Sequence, residues 1–311
     1  MNYKIENTPV IFLTGHRKCG TSLFHRLFDG HTNLSLYPVD LSLLYAYFPY
    51  FTKKYSGEKQ ILQKRIIKVV RASLEDLCEN NEKIKIDIDH LINILELEIE
   101  KIDILDKIDI IKTIMKVWND FTGNSKKSSP FLFKETSQSV YCDYFTENIK
   151  NFIMIQLVRD PRDNFSALAS GVKNYYSKFG EDRENILFSL LNRCRMDFIS
   201  ANNNLKKHKD IFHVIKFEDL IIKPREIMIE VCKKINIEFQ ESLLDPTVLG
   251  HPYSGNSHNK EKFSGISTKN LSRWKERIDQ EEAKIIEYWF GEEMSKWGYE
   301  LEFNTKDSQK S

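Results

Sequence analysis

The chain has 311 residues, 41% hydrophobic and 12% aromatic, with 46 basic against 45 acidic side chains and a formal net charge of +1. That is enough apolar material for one sizeable core. The near-zero balance excludes a protein that coats a polyanion and leaves room only for a local basic pocket.

In chain order, VIFL reads as a short buried strand, after which GHRKCG forms a glycine loop and Leu23, Phe24, Leu27 and Phe28 recur at helical spacing until Asp29-Gly30. HTNLSLYPVD follows, and Asp40 reads as a helix N-cap ahead of LSLLYAYF. Tyr37, Tyr45, Tyr47, Phe48, Tyr50 and Phe51 either line a pocket there or belong to the core. Residues 52–129 read as a helical insertion: Leu62, Ile66, Val69, Val70, Leu74 and Leu77 trace one helix, Leu91, Leu95, Ile99 and Ile102 a second, and Ile108, Ile111, Met115 and Trp118 a third. FLF at 131–133 and FIMIQLV at 152–158 are strands, the second breaking at Arg159-Asp160-Pro161 into a helix from about Arg162. Leu187 to Leu205 outlines one long helix, residues 211–217 a strand, Ile227 to Ile235 a helical face and Ile286 to Trp297 a last helix, before a tail expected to be disordered. Strands apolar throughout and separated by helices imply an α/β fold with a parallel sheet covered on both sides.

The N-terminus MNYKIENTPV lacks the charged-then-apolar pattern of a signal peptide and the apolar runs are too short for a bilayer, so a cytoplasmic protein is expected. Cys19, Cys78, Cys142, Cys194 and Cys232 are scattered with no C-x-x-C pair, which points to reduced thiols and neither a disulfide framework nor a zinc site.

A loop between a strand and a helix N-terminus suits an anion, because backbone N–H groups point into it. In the hydrolysing form G-x-x-x-x-G-K-[ST] the lysine follows the second glycine. Here Thr21 and Ser22 follow Gly20, and the lysine is Lys18, inside the loop. That position suits contact with a transferred group and its bridging oxygen, with Thr21 and Ser22 donating to the phosphate. An ordinary glycine turn is the alternative.

GHRKCGTSLFHRLFDGH resembles the 5′-phosphosulfate loop of sulfotransferases that use 3′-phosphoadenosine 5′-phosphosulfate (PAPS), with Lys18-Cys19-Gly20-Thr21-Ser22 on the pattern K/R-S-G-T-T/S and Cys19 where serine is usual. RDPRDNFSA is similar to the family's R-[DN]-P-[RK]-D segment, which implies that Arg159 and a later serine hold the 3′-phosphate. The family serine falls eight residues after that arginine, where this chain has Ala167; Ser166 lies seven after. FLFKET resembles the segment near the acceptor and makes Lys134 a second cation beside the sulfonyl group, while IFHVIKFEDLIIKP and STKNLSRWKERI are similar to a structural strand-and-turn and to the segment ending in R-W before the last helix. The resemblance covers residues 9–44 and 131–299.

It implies a three-layer α/β fold of the P-loop-like kind, a single domain over residues 1–311, whose insertion at 52–129 covers the acceptor site and whose tail is 304–311. It implies Arg17, Lys18, Cys19, Gly20, Thr21, Ser22, Arg159 and Ser166 on the donor, adenosine 3′,5′-bisphosphate (PAP) as product, and no metal requirement, since basic side chains take an ion's place. The expected partner is a hydroxyl of a carbohydrate, lipid-like or other small acceptor, with no nucleic acid. A base must take the acceptor proton. Thr136 stands where small-molecule members have histidine, whereas carbohydrate- and tyrosine-directed members place a carboxylate shortly after the first helix, which makes Asp40 the first choice and Glu135 the second. His16, His25 and His31 read as hydrogen-bonding spectators. Two rivals remain. A P-loop kinase is disfavoured by Thr21 after Gly20 and by Arg-Asp-Pro after the central strand; a non-catalytic nucleotide-binding interaction protein is disfavoured by Lys18, Lys134 and Arg159 all being present.

Overall fold

The computed structural model describes residues 7–43, 58–103, 105–124, 129–255, 262–263 and 265–303. The run Tyr45, Tyr47, Phe48, Tyr50 and Phe51 and the tail 304–311 lie outside them. Strands β1 (Val10–Gly15), β2 (Ser35–Asp40), β3 (Phe131–Lys134), β4 (Phe152–Val158) and β5 (Phe212–Lys216) form one sheet in the order β2-β3-β1-β4-β5, every neighbouring pair parallel. β1 and β3 are buried at every position, as continuous apolar runs covered on both faces should be. Alternation then assigns the faces: Val10 and Phe12 join one core cluster, Ile11 and Leu13 another.

β2 corrects the sequence reading, which had no strand there. Pro38 lacks a ladder N–H and is tolerated because β2 is an edge, with a register shift between Leu36 and Asp40. Asp40 therefore ends a strand, opposite Lys134.

Between β1 and β2 lies α1 (Thr21–Leu27). The insertion forms α2 (Lys59–Glu79), α3 (Ile88–Glu100) and α4 (Lys107–Phe121), the last two capped by Asp87 and Asp106 side chains that accept from His90 N–H and Ile108 N–H. Its apolar stripes (Ile66, Val70, Leu95, Trp118) share one core with Phe12, Phe133 and Met154 of the sheet. After β3 come α5 (Cys142–Asn148) and, past β4, α6 (Pro161–Ala169), whose N-cap Asp160 accepts from Arg162 N–H. The expected long helix from 187 to 205 is present and runs without a break from Arg183 to Lys207, as α7 (Arg183–Ser189), a π-helical stretch (Leu190–Cys194) and α8 (Arg195–Lys207). β5 ends at Lys216, and Phe217 opens α9 (Phe217–Ile222), followed by α10 (Pro224–Lys234). The last helix, α11 (Gln280–Lys296), begins with a capping box of Asp279 and Glu282. Among the described residues, no helix is long and apolar enough to cross a membrane.

Candidate active site

The loop from β1 to α1 is fixed by backbone constraints. Gly15 has φ 150° and Gly20 φ 105°. A Cβ at Gly20 would stand 2.2 Å from the Phe217 ring, and one at Gly15 would stand 2.6 Å from the Leu157 carbonyl oxygen. Neither position accepts a side chain. Lys18, between them, has φ 65°, a left-handed conformation that a side-chain-bearing residue adopts only when its surroundings enforce it. The enforcement comes from the β4–α6 turn: Arg159 Nη1 donates to the Lys18 carbonyl at 3.0 Å, and Asn164 Nδ2 donates to the Arg17 carbonyl at 2.8 Å. The displaced lysine thus sits where the β4–α6 turn holds the backbone left-handed.

Lys18 lines a cavity shared with Thr21, Ser22, Arg159, Ser166 and Phe217. Burial, and then the charges of Lys134 and Arg159, push its ammonium down to about 8. Arg159 lies 4.7 Å over the Phe217 ring and donates through Nη2 to the Asn270 carbonyl at 2.8 Å. Ser166 and Ala167 both line the cavity, as does Ser170 at the C-terminal cap of α6, so the one-residue offset keeps a hydroxyl at this wall. Arg17 does not line it. Its guanidinium pairs with Glu181 at 3.1 Å and stacks 4.9 Å over the Tyr176 ring. The Cys19 side chain is buried in the core beneath the loop, and burial pushes its thiol up to about 12.

At the end of β3, Lys134 forms an ion pair with Asp40 and donates to Ser22 Oγ at 3.4 Å. The Lys134 side chain is 6% exposed and that of Asp40 36%, so only the carboxylate of this pair is open to an approaching molecule. Glu135 is built differently: Oε2 accepts from Ser42 N–H, and Oε1 accepts from Thr136 N–H at 2.8 Å and Thr136 Oγ1 at 3.3 Å. Both oxygens brace a turn in which Ser42 has φ 52°. Burial, with Asp40 second, pushes this carboxyl up to about 7. Lys18, Ser22, Lys134 and Asp40 come together; Glu135 stands behind them.

The histidines lie elsewhere. His31 donates from Nε2 to the Glu238 carbonyl at 2.9 Å and accepts Asn33 N–H at Nδ1, 3.2 Å. His16 and His25 are buried, and desolvation lowers both pKa values, so their rings stay neutral. Sequence reasoning missed Arg273, Arg277 and Ser170 as cavity-lining groups. Arg273 was visible within SRWKER, and Ser170 was four residues from Ser166 on one helical face.

The cavity opens at the carboxyl ends of β1 and β4, where the strand order turns back, the place at which open α/β sheets bind ligands. A parallel sheet with a glycine loop and a cation cluster at that point defines the P-loop-like class of α/β proteins. Within it, the chain belongs to the sulfotransferase family, whose model, described as "Sulfotransferase family", matches residues 9–241. No curated protein matches the sequence. Similar solved structures include the sulfotransferase domain from the curacin biosynthetic pathway, 19% identical with a TM-score of 0.62, covering 94% of this chain and 98% of that one. The sulfotransferase domain of the Synechococcus PCC 7002 olefin synthase is 15% identical with a TM-score of 0.57, covering 94% and 95%. Sulfotransferase STF9 from Mycobacterium avium is 11% identical with a TM-score of 0.50, covering 96% and 78%. At these identities the likeness is one of fold.

Proposed function

We propose that the protein moves a sulfuryl group from PAPS to a hydroxyl of a carbohydrate, lipid-like or other small acceptor. The observation that carries this reading is Lys18: an ammonium held in left-handed backbone between two irreplaceable glycines, lining one cavity with Arg159 and close enough to the buried Lys134 to feel its charge. The lining suits the donor. Phe217, Tyr253 and Phe263 offer flat apolar faces for a purine, and Arg159, Ser166 and Thr21 offer donors for phosphates.

The donor supplies the sulfuryl group and a phosphate leaving group. Lys18 neutralises charge that grows on the departing oxygen, an effect made larger by its dry surroundings. Lys134, buried against Asp40 and Ser22, adds positive charge behind the transferred group, and Arg159 with Ser166 fixes the remote end of the nucleotide. Asp40, the exposed member of its pair, takes the acceptor proton. Glu135 keeps the Ser42 turn in place.

Thermal-shift titration tests the donor assignment: PAP is expected to raise the melting temperature and ATP to leave it nearly unchanged. Radiolabelled PAPS offered with hydroxylated metabolites then tests transfer. A chain that PAP does not stabilise ends this reading.

A further inference from the structure

A carboxylate at an anion-binding wall needs a reason, because its charge opposes the ligand. Asp163 is buried and lines the same cavity as Lys18, Arg159 and Arg273. Its oxygens are turned to backbone: Oδ2 accepts Ser272 N–H at 2.7 Å and Oδ1 accepts Trp274 N–H at 2.9 Å. These two amides straddle Arg273. Ser272 has φ 57°, so the chain turns sharply there in a conformation that its own side chain disfavours. Two neighbours of Asp163 hold the same segment: Arg159 donates to the Asn270 carbonyl at 2.8 Å, and the Arg162 guanidinium lies 4.3 Å over the Trp274 ring while pairing with Asp160 and Glu287. Residues 159–163 thus seat residues 270–274, more than a hundred positions away in the chain.

We propose that Asp163 is a positioning residue that seats the 270–274 strap by its two backbone contacts and so presents Arg273 to the donor cavity. The proposal rests on the donor-site reading above. It has a sign that simple electrostatics does not share. Removing a buried negative charge beside an anion site should tighten anion binding if the charge acts alone; removing a seat should loosen it. Asp163→Asn separates the two, since it is nearly isosteric but sets an NH2 donor against one of the two N–H groups.

The test is calorimetric titration of the full chain with PAP, for the parent, Asp163→Asn, Arg273→Gln and the double variant, together with amide exchange of residues 270–277 without nucleotide. Asp163→Asn and Arg273→Gln are each expected to weaken PAP by roughly tenfold or more. The double variant is expected to be no weaker than Arg273→Gln by more than about twofold, as coupled groups require. Exchange at Ser272 and Trp274 should quicken in Asp163→Asn, and the KM for PAPS should rise while kcat holds. Equal or tighter PAP binding by Asp163→Asn, a double variant that shows the product of both losses, or unchanged exchange would overturn the proposal. Failure of the parent to bind PAP would count against the donor reading, and the exchange measurement would still judge the seat. Should Asp163→Asn not fold, Asp163→Ser, whose hydroxyl accepts one N–H without adding an amide donor, replaces it in every arm.

Discussion

Loop residues 15–22 and the helices α2–α4 both depend on burial, but they use it differently. In the loop each position is set individually, with two glycines that exclude any Cβ, a lysine held at φ 65°, and carbonyls of Arg17 and Lys18 taken up by Asn164 and Arg159. In the insertion, Ile66, Val70, Leu91, Leu95 and Ile111 fill volume, which other apolar side chains of similar size can also fill. The contrast teaches that binding charge requires particular atoms at particular points, whereas covering a sheet requires only enough well-packed hydrocarbon. Substitutions should therefore separate turnover from stability according to the region they fall in.

The largest expected effect is on the loop. Lys18→Met should lower kcat by about 10²–10³-fold, close to 4 kcal/mol at the upper end, as loss of one preorganised charge donor does. The fold should not weaken, since a buried ammonium costs desolvation that methionine avoids. The pH dependence carries a matching sign. In the ligand-free protein Lys18 loses its proton near 8, so kcat/KM for PAPS should fall as pH rises through about 8. A bound anion favours the ammonium, so the fall in kcat should come at higher pH. Because unfolded Lys18 keeps its proton up to about 10.5, its contribution to stability should rise with pH between 8 and 10.5. Rate profiles and melting curves across that range check both signs.

In the insertion the expected outcome is reversed. Leu95→Ala, at a side chain 1% exposed, should cost about 2–5 kcal/mol of stability by denaturant melting while leaving kcat within about twofold. A raised acceptor KM with normal donor KM would add that the insertion shapes the acceptor pocket. A large loss of kcat at full stability would break the division between the regions.

Asp40 and Glu135 bring the same contrast into one small space. Asp40→Asn should lower kcat by about 10²-fold, since it removes the exposed base, and should also lower the melting temperature, since it leaves the buried Lys134 ammonium without its carboxylate. Glu135→Gln should lower the melting temperature by unsettling the turn that Ser42 and Thr136 anchor, while leaving most of the rate. If the loss of rate falls on Glu135→Gln and not on Asp40→Asn, Glu135 is the base.

How much of this was legible in the sequence follows from range. The loop, β3, β4, β5 and the helices of the insertion depend on neighbours in the chain, and periodicity revealed them. β2 was hidden because Pro38 and a mixed SLYPVD pattern look unlike a strand until β3 is placed beside them. The roles of Arg273 and Glu135 were hidden for a related reason. Arg273 reaches the cavity only because Asp163 seats the amides on both sides of it, and Glu135 becomes a brace only because the Ser42 turn returns to it. Such contacts leave no local pattern.

The smallest expected effect concerns Cys19, the one departure of the loop from the usual serine. A Cβ at Gly15 would lie 2.7 Å from Cys19 Sγ, and the residue packs in one core with Phe24, Ile155, Leu157 and Phe217. The thiol therefore points beneath the loop, and its hydrogen-bonding capacity is not presented to the cavity that Lys18 lines. Cys19→Ser should then restore the usual residue without restoring a contact. It is expected to cost about 1 kcal/mol of stability by placing a hydroxyl among apolar groups, and to leave the PAP dissociation constant within about twofold. A tenfold tightening of PAP would instead mean that this side chain turns into the donor site, and the core beneath the loop would have to be less rigid than Gly15 and Gly20 require.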